Sequence, residues 1–136
     1  MPSTPETPAS ERGRGAGGAL SGAAATEALE RYFNALCDHN VNAACECLDA
    51  DILVRYPEQG KGWSGAATAK LKYGRMLARA PAFKASFSVL EITAERSVST
   101  VRASCHFECA VSGLNVTREI LYVVGAVQRI ILIDHK

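Results

Sequence analysis

The feature that most limits how this chain can fold is a change of hydrophobic period near Pro81. Before it, apolar side chains recur three and four residues apart; after it they alternate. Phe87 and Val89 alternate with Ser86 and Ser88, and Val101, Ala103, Cys105 and Phe107 alternate with Arg102, Ser104, His106 and Glu108. Residues 116–124 and 127–133 form two further apolar runs, and Gly125-Ala126 between them reads as a tight hairpin. A helical half followed by about four antiparallel strands is an α+β pattern.

In the helical half, Thr26 is a suitable N-cap and Glu27 suits the first turn. Leu29, Tyr32, Phe33 and Leu36 then line one face of a first helix. Asp38-His39-Asn40 interrupts the pattern, and Asn40 can cap a short second helix carrying Val41, Ala44, Cys45 and Leu48 as its stripe. Ile52-Leu53-Val54 reads as a short strand ended by Pro57, residues 58–62 as a turn, and Trp63 as a lone large anchor. Ser64 can cap a third helix over residues 65–80, closed by Pro81. Its expected apolar face is Ala67, Leu71, Gly74 and Ala78, with Leu77 beside it.

Composition sets the boundary of the folded part. Residues 1–25 are dominated by Pro, Ser, Thr, Gly and Ala, with Leu20 the one large aliphatic side chain after Met1. Such a segment buries too little apolar surface to offset its ordering entropy, so a disordered tail is expected, with one domain over residues 26–136. A formal net charge of +1 gives no field that would favour nucleic acid or an anionic membrane. With no apolar run of ~20 residues and no basic-then-apolar leader, the expected compartment is the cytoplasm, with nucleus and organelle left open. Five cysteines without a Cys-x-x-Cys pair read as small buried hydrophobes, so neither metal nor cofactor is expected. In the last two runs Ile120, Tyr122 and Val124 oppose Leu121 and Val123, and Ile131 and Ile133 oppose Ile130 and Leu132. One face can pack on the helices; the other needs a cover, which a homodimer through the outer sheet face would supply.

The order of landmarks is similar to that of nuclear transport factor 2-like domains, the superfamily that includes SnoaL-like polyketide cyclases and ketosteroid isomerases. The resemblance is carried by residues 30–36 (Glu-Arg-Tyr-Phe-Asn-Ala-Leu), 39–43 (His-Asn-Val-Asn-Ala) and 48–51 (Leu-Asp-Ala-Asp), then Tyr56-Pro57 and Trp63-Ser64-Gly65. It implies a curved antiparallel sheet wrapped around three N-terminal helices as a cone, whose mouth opens on an apolar pocket. The lining expected from it includes Phe33, Tyr56, Trp63 and Leu121.

Matched to the ketosteroid isomerases, Tyr32 corresponds to the tyrosine that donates to a developing enolate. Glu119 falls near their protonated second donor. Their general base would stand immediately before Pro57, where this chain has Tyr56, and a phenol that titrates near ~10 is a poor base at neutral pH. Tyr32 is equally suited to core packing with its hydroxyl bonded, the commoner outcome. Glu119 is either a desolvated pocket acid or the partner of Arg102 or Arg118. His106, two residues from Glu108 on one strand face, is a candidate base, although a polar strand face is more often simply solvated.

These residues point to a SnoaL-like pocket for a small apolar, carbonyl-bearing compound. If catalytic, it would be a cofactor-free isomerase, cyclase or hydratase; whether it is an enzyme stays open. The alternative is a non-enzymatic interaction or transport-adaptor module.

Overall fold

In a computed structural model, which describes residues 22–135, the chain folds as three helices and one curved six-stranded sheet. The elements are α1 (Gly22–Cys37), α2 (Val41–Glu46), β1 (Leu48–Tyr56), β2 (Lys61–Ser64), α3 (Ala66–Arg79), β3 (Phe83–Glu95), β4 (Val98–Cys109), β5 (Leu114–Gly125) and β6 (Ile130–His135). The strand order is β2-β1-β6-β5-β4-β3. All neighbours are antiparallel except β1 and β6, which run parallel and bring the two ends of the domain together. The α+β cone implied by the family resemblance is therefore present, with one parallel pairing in its sheet.

Helix α1 starts at Gly22 rather than at Thr26, because residues 23–25 are alanines of high helix propensity and Ala25 is fully buried. Thr26 is therefore inside the helix, and its Oγ1 donates to Gly22 O at 2.9 Å. Residues 1–21, most of the expected tail, lie outside the described residues. The helix ends in a Schellman arrangement: His39 takes φ 56°, its N–H donates to Leu36 O, and Asn40 N–H donates to Ala35 O. Asn40 then caps α2, its Oδ1 accepting from Ala43 N at 3.0 Å.

Between α2 and α3 the chain is more regular than its apolar pattern suggests. Leu48 does not belong to the α2 stripe; it opens β1, where its side chain is buried. Residues 61–64 are a strand paired with β1, not a turn followed by a lone tryptophan. Gly62 permits that pairing, since a Cβ there would lie 2.7 Å from Val54 O. Ser64 ends this strand, and α3 begins after Gly65 (φ 94°) with no side-chain cap. The buried side of α3 is Ala69, Tyr73 and Leu77; Leu71, expected inside, is 55% exposed.

The core lies between the helices and the concave face of the sheet. Leu29, Tyr32, Phe33 and Leu36 of α1 meet Val101, Ala103 and Cys105 of β4 and Ile120, Tyr122 and Val124 of β5. In β6 the register shifts near Val124, so Ile130 and Ile133, three apart, both point inward. That irregularity is why the expected pairing of Ile131 with Ile133 on one face does not occur. The link into β6 is longer than a two-residue turn. Gly125 N–H donates to Arg129 O, Gln128 takes φ 59°, and Val127 is left outside. Among the described residues no helix is long and apolar enough to cross a membrane.

Candidate functional site

The concave sheet face and the helices leave a cavity of about 330 Å³. Leu36 and Met76 from the helices, and Val54, Phe83, Phe107 and Ile133 from the sheet, give it an apolar wall. The polar groups come in two sets. Deep in the cavity are Tyr32, Tyr73 and Tyr122; toward the mouth are Tyr56, Glu58, Gln59, Arg118 and His135.

The deep set is three buried phenols, two of them hydrogen-bonded to each other. Tyr32 Oη and Tyr73 Oη are 2.6 Å apart, and Tyr122 Oη lies 3.6 Å from Cys105 Sγ. Burial, reinforced by the charge Tyr73 would carry, raises the Tyr32 pKa well above that of an ordinary phenol. Burial likewise raises Tyr73, against a smaller opposing effect of its bond with Tyr32, and it raises Tyr122. All three stay protonated at neutral pH. In the Tyr32–Tyr73 pair one proton closes the bond, so the other hydroxyl can donate into the cavity.

The mouth holds a different chemistry. The His135 ring stacks on Tyr56, with centroids 4.4 Å apart and planes at 18°. Burial first, and Arg118 second, push its pKa below the ordinary imidazole value, with Asp134 opposing. A neutral imidazole here can accept a proton. In the unfolded chain His135 would protonate below ~6.5, but in the fold only at lower pH. Its contribution to stability is therefore complete above ~6.5 and declines as pH falls through the window between that value and the lower folded one. His135→Gln should flatten this part of the stability profile, read by urea unfolding at stepped pH. An identical slope in both proteins would place the imidazole in solvent.

No family model matches the chain, and no curated protein does either. Solved structures do. An NTF-2-like protein of unknown function from Shewanella oneidensis MR-1 superposes with a TM-score of 0.68 at 13% identity, over 83% of this chain and 96% of the other. The chain has the nuclear transport factor 2-like fold. A cystatin-like-fold protein of unknown function from Methylobium petroleophilum PM1 superposes at TM-score 0.70 and 13% identity, over 87% and 78% of the two chains. An LEH-like epoxide hydrolase from M. tuberculosis does so at 0.62 and 18%, over 83% and 81%. A nuclear transport factor 2-like fold thus carries an enzyme in one neighbour and no assigned activity in others, and the fold by itself selects no reaction.

Within this fold the residues singled out from sequence separate into three places. Tyr32 and Tyr56 line the cavity. Phe33 and Trp63 do not: Phe33 is buried in the core against Phe87 and Phe107, and Trp63 stands edge-on to Tyr73 at 6.0 Å. Glu119, Leu121 and His106 point away from the cavity, on the outer face of the sheet. Glu119 Oε1 is 3.3 Å from Arg102 Nη1; His106 Nδ1 is 2.9 Å from Thr117 Oγ1 and its Nε2 is 3.4 Å from Glu108 Oε2. Strand parity is the reason. Ile120, Tyr122 and Val124 face inward, so Arg118 does too, and Glu119 with Leu121 must face out.

Arg118, His135, Tyr73 and Tyr122 are among the cavity residues that sequence reasoning missed. The signal for Arg118 and Tyr122 was present, since both share the parity of Ile120. His135 pairs with Ile120 across β5 and β6, which only the register reveals. Among the described residues no cluster of His, Cys, Asp and Glu could hold a metal ion.

Proposed function

We propose that this domain is a SnoaL-like pocket protein that holds a small, largely apolar molecule bearing a carbonyl or similar oxygen acceptor. The observation that carries the reading is the Tyr32–Tyr73 hydroxyl pair at 2.6 Å against the apolar wall of the cavity. Donors kept protonated by burial suit an oxygen that gains negative charge, as in a cofactor-free isomerisation, cyclisation or hydration. His135, neutral on the same cavity, is the candidate base, in place of the outward-facing His106.

Trp63 is the one tryptophan of the chain and lies against Tyr73, so its fluorescence reports on the cavity. Titration with 4-phenylbutan-2-one should give saturable binding about five- to tenfold tighter than butylbenzene, the difference one hydrogen bond confers. If protons move as well, the bound ketone should take up deuterium at its α-carbons faster than in buffer, and this gain should vanish in His135→Gln. Absence of saturable binding by either compound would remove the pocket reading.

We also propose that a second copy covers the outer sheet face. There Leu53, Leu132 and Val123 lie in register as an apolar row, flanked by the Arg55–Asp134 and Arg102–Glu119 pairs. Sedimentation equilibrium should give a dimer that Leu132→Lys converts to monomer. A wild-type monomer at ~100 µM, well above the range of a specific dimer, would sink this reading.

A further inference from the structure

The arginines of the sheet are not alike. Arg55 Nη2 bonds Asp134 Oδ2 at 2.9 Å, and Arg102 lies 3.3 Å from both Glu91 and Glu119. Each of these guanidinium groups has its own carboxylate on the outer face. Arg118 has none: among the described residues it makes no hydrogen bond or ion pair, and it lines the cavity mouth instead. Leu114 and Val116 precede it on the same face of β5 and also line the cavity. They form an apolar lip beside the cation. A guanidinium without a carboxylate, set where an apolar cavity opens to water, is arranged to meet one brought by a ligand.

We infer that the cavity selects an apolar monocarboxylate, its carboxylate held by Arg118 at the mouth and its hydrocarbon body inside the cone. The inference rests on the pocket reading above and specifies its ligand class. The two ends of the cavity divide the work. Arg118 presents a planar fork that matches the two oxygens of a carboxylate, while the apolar wall excludes a fully hydrated ion. The phenols at the far end remain free for an acceptor elsewhere on the same molecule. The charged and titratable groups facing His135 are Arg118 and Tyr56 from the neighbouring strands, Glu58 from the turn after β1, and Asp134 beside it. Glu58 is the lining carboxylate, and its charge opposes an incoming anion. A bound carboxylate would offset the effect of Arg118 on the imidazole, giving a signal separate from affinity.

The test uses 4-phenylbutanoate and 4-phenylbutanamide, which share one hydrocarbon body, with 4-phenylbutan-2-one as the neutral carbonyl reference. Trp63 fluorescence should show the carboxylate binding about tenfold tighter than the amide, as a charge-assisted bond to arginine provides. Arg118→Gln should abolish that preference, Arg118→Lys should retain part of it, and Glu58→Gln should strengthen it. In an NMR titration, phenylbutanoate should move the His135 midpoint upward and the ketone should not. Equal affinity for carboxylate and amide, or a preference that survives Arg118→Gln, would overturn the inference. If the ketone still binds in that case, only the anion selectivity fails; if it does not, the pocket reading fails with it.

Discussion

Replacement of Phe33 by alanine should destabilise the domain by about 3–5 kcal/mol, the range for removing a buried aromatic ring. The ring is 3% exposed and sits where α1 crosses the sheet. Its centroid lies 4.8 Å from Phe87 of β3, 6.4 Å from Phe107 of β4 and 6.1 Å from Tyr122 of β5, with Tyr32 edge-on at 5.6 Å. One side chain therefore ties a helix to three strands. Backbone elements on every side limit collapse around the void, which places the cost in the cavity-forming range. Domains of this size are stable by only ~5–15 kcal/mol, so the variant would lose a large fraction of the total. Urea unfolding should show the loss with an unchanged m-value, and the melting temperature should fall by on the order of 15 °C. A cost below ~1 kcal/mol would mean that the ring faces the cavity, as the family resemblance implies.

The second large effect concerns the tyrosine pair. Tyr32→Phe leaves the Tyr73 hydroxyl without its 2.6 Å partner, and Tyr73→Phe does the same to Tyr32. Each single change should cost about 1–3 kcal/mol, because a buried polar group loses its bond. The double change removes both polar atoms and should cost less than the sum of the two, a coupling that a double-mutant cycle measures directly. Ligand binding should follow a different order. Either hydroxyl can still donate alone, so each single variant keeps some preference for the ketone over the hydrocarbon, and only the double variant loses it. The pair also sets an alkaline limit. Both pKa values are raised in the fold, so the unfolded chain ionises first, near ~10. The stability from the neutral pair is complete below ~10 and is lost as pH rises above it, a slope that should be shallower in the double variant. Strictly additive single changes would show that the two hydroxyls act independently.

The outer-face residues explain why the site was harder to read than the fold. In β4, Val101, Ala103, Cys105 and Phe107 against Arg102, Ser104 and His106 leave no doubt which side is inner, and the structure agrees. In β5 both sides are apolar, so the inner face of Ile120 and Tyr122 could be exchanged with that of Leu121 and Val123 without violating the pattern. Glu119, matched to the ketosteroid isomerases, is a pocket acid only if the face it shares with Thr117, Leu121 and Val123 lines the cone, and the structure turns the other face inward. Helix α3 had a similar ambiguity. Its alanines fit several stripes, and the decisive residue, Tyr73, looks amphipathic until α1 supplies a partner for its hydroxyl.

What the sequence determined by itself is local in origin: the switch of period at Pro81, the Asn40 cap, the helical stripe of α1 and the alternation of β4 are all set by residues within a few positions of one another. They were enough for the α+β pattern, while the cone was implied by the resemblance to nuclear transport factor 2-like domains. The tertiary structure alone decided which face of each strand looks inward, since that depends on what packs across it. It also decided the parallel pairing of β1 with β6, which brings Tyr56 and His135 into a stack from positions far apart in the chain. The candidate site is built from such contacts. A ring stacked across two strands and a hydroxyl pair across two helices leave no trace in spacing, because the forces that form them act between surfaces that meet only after the chain has folded.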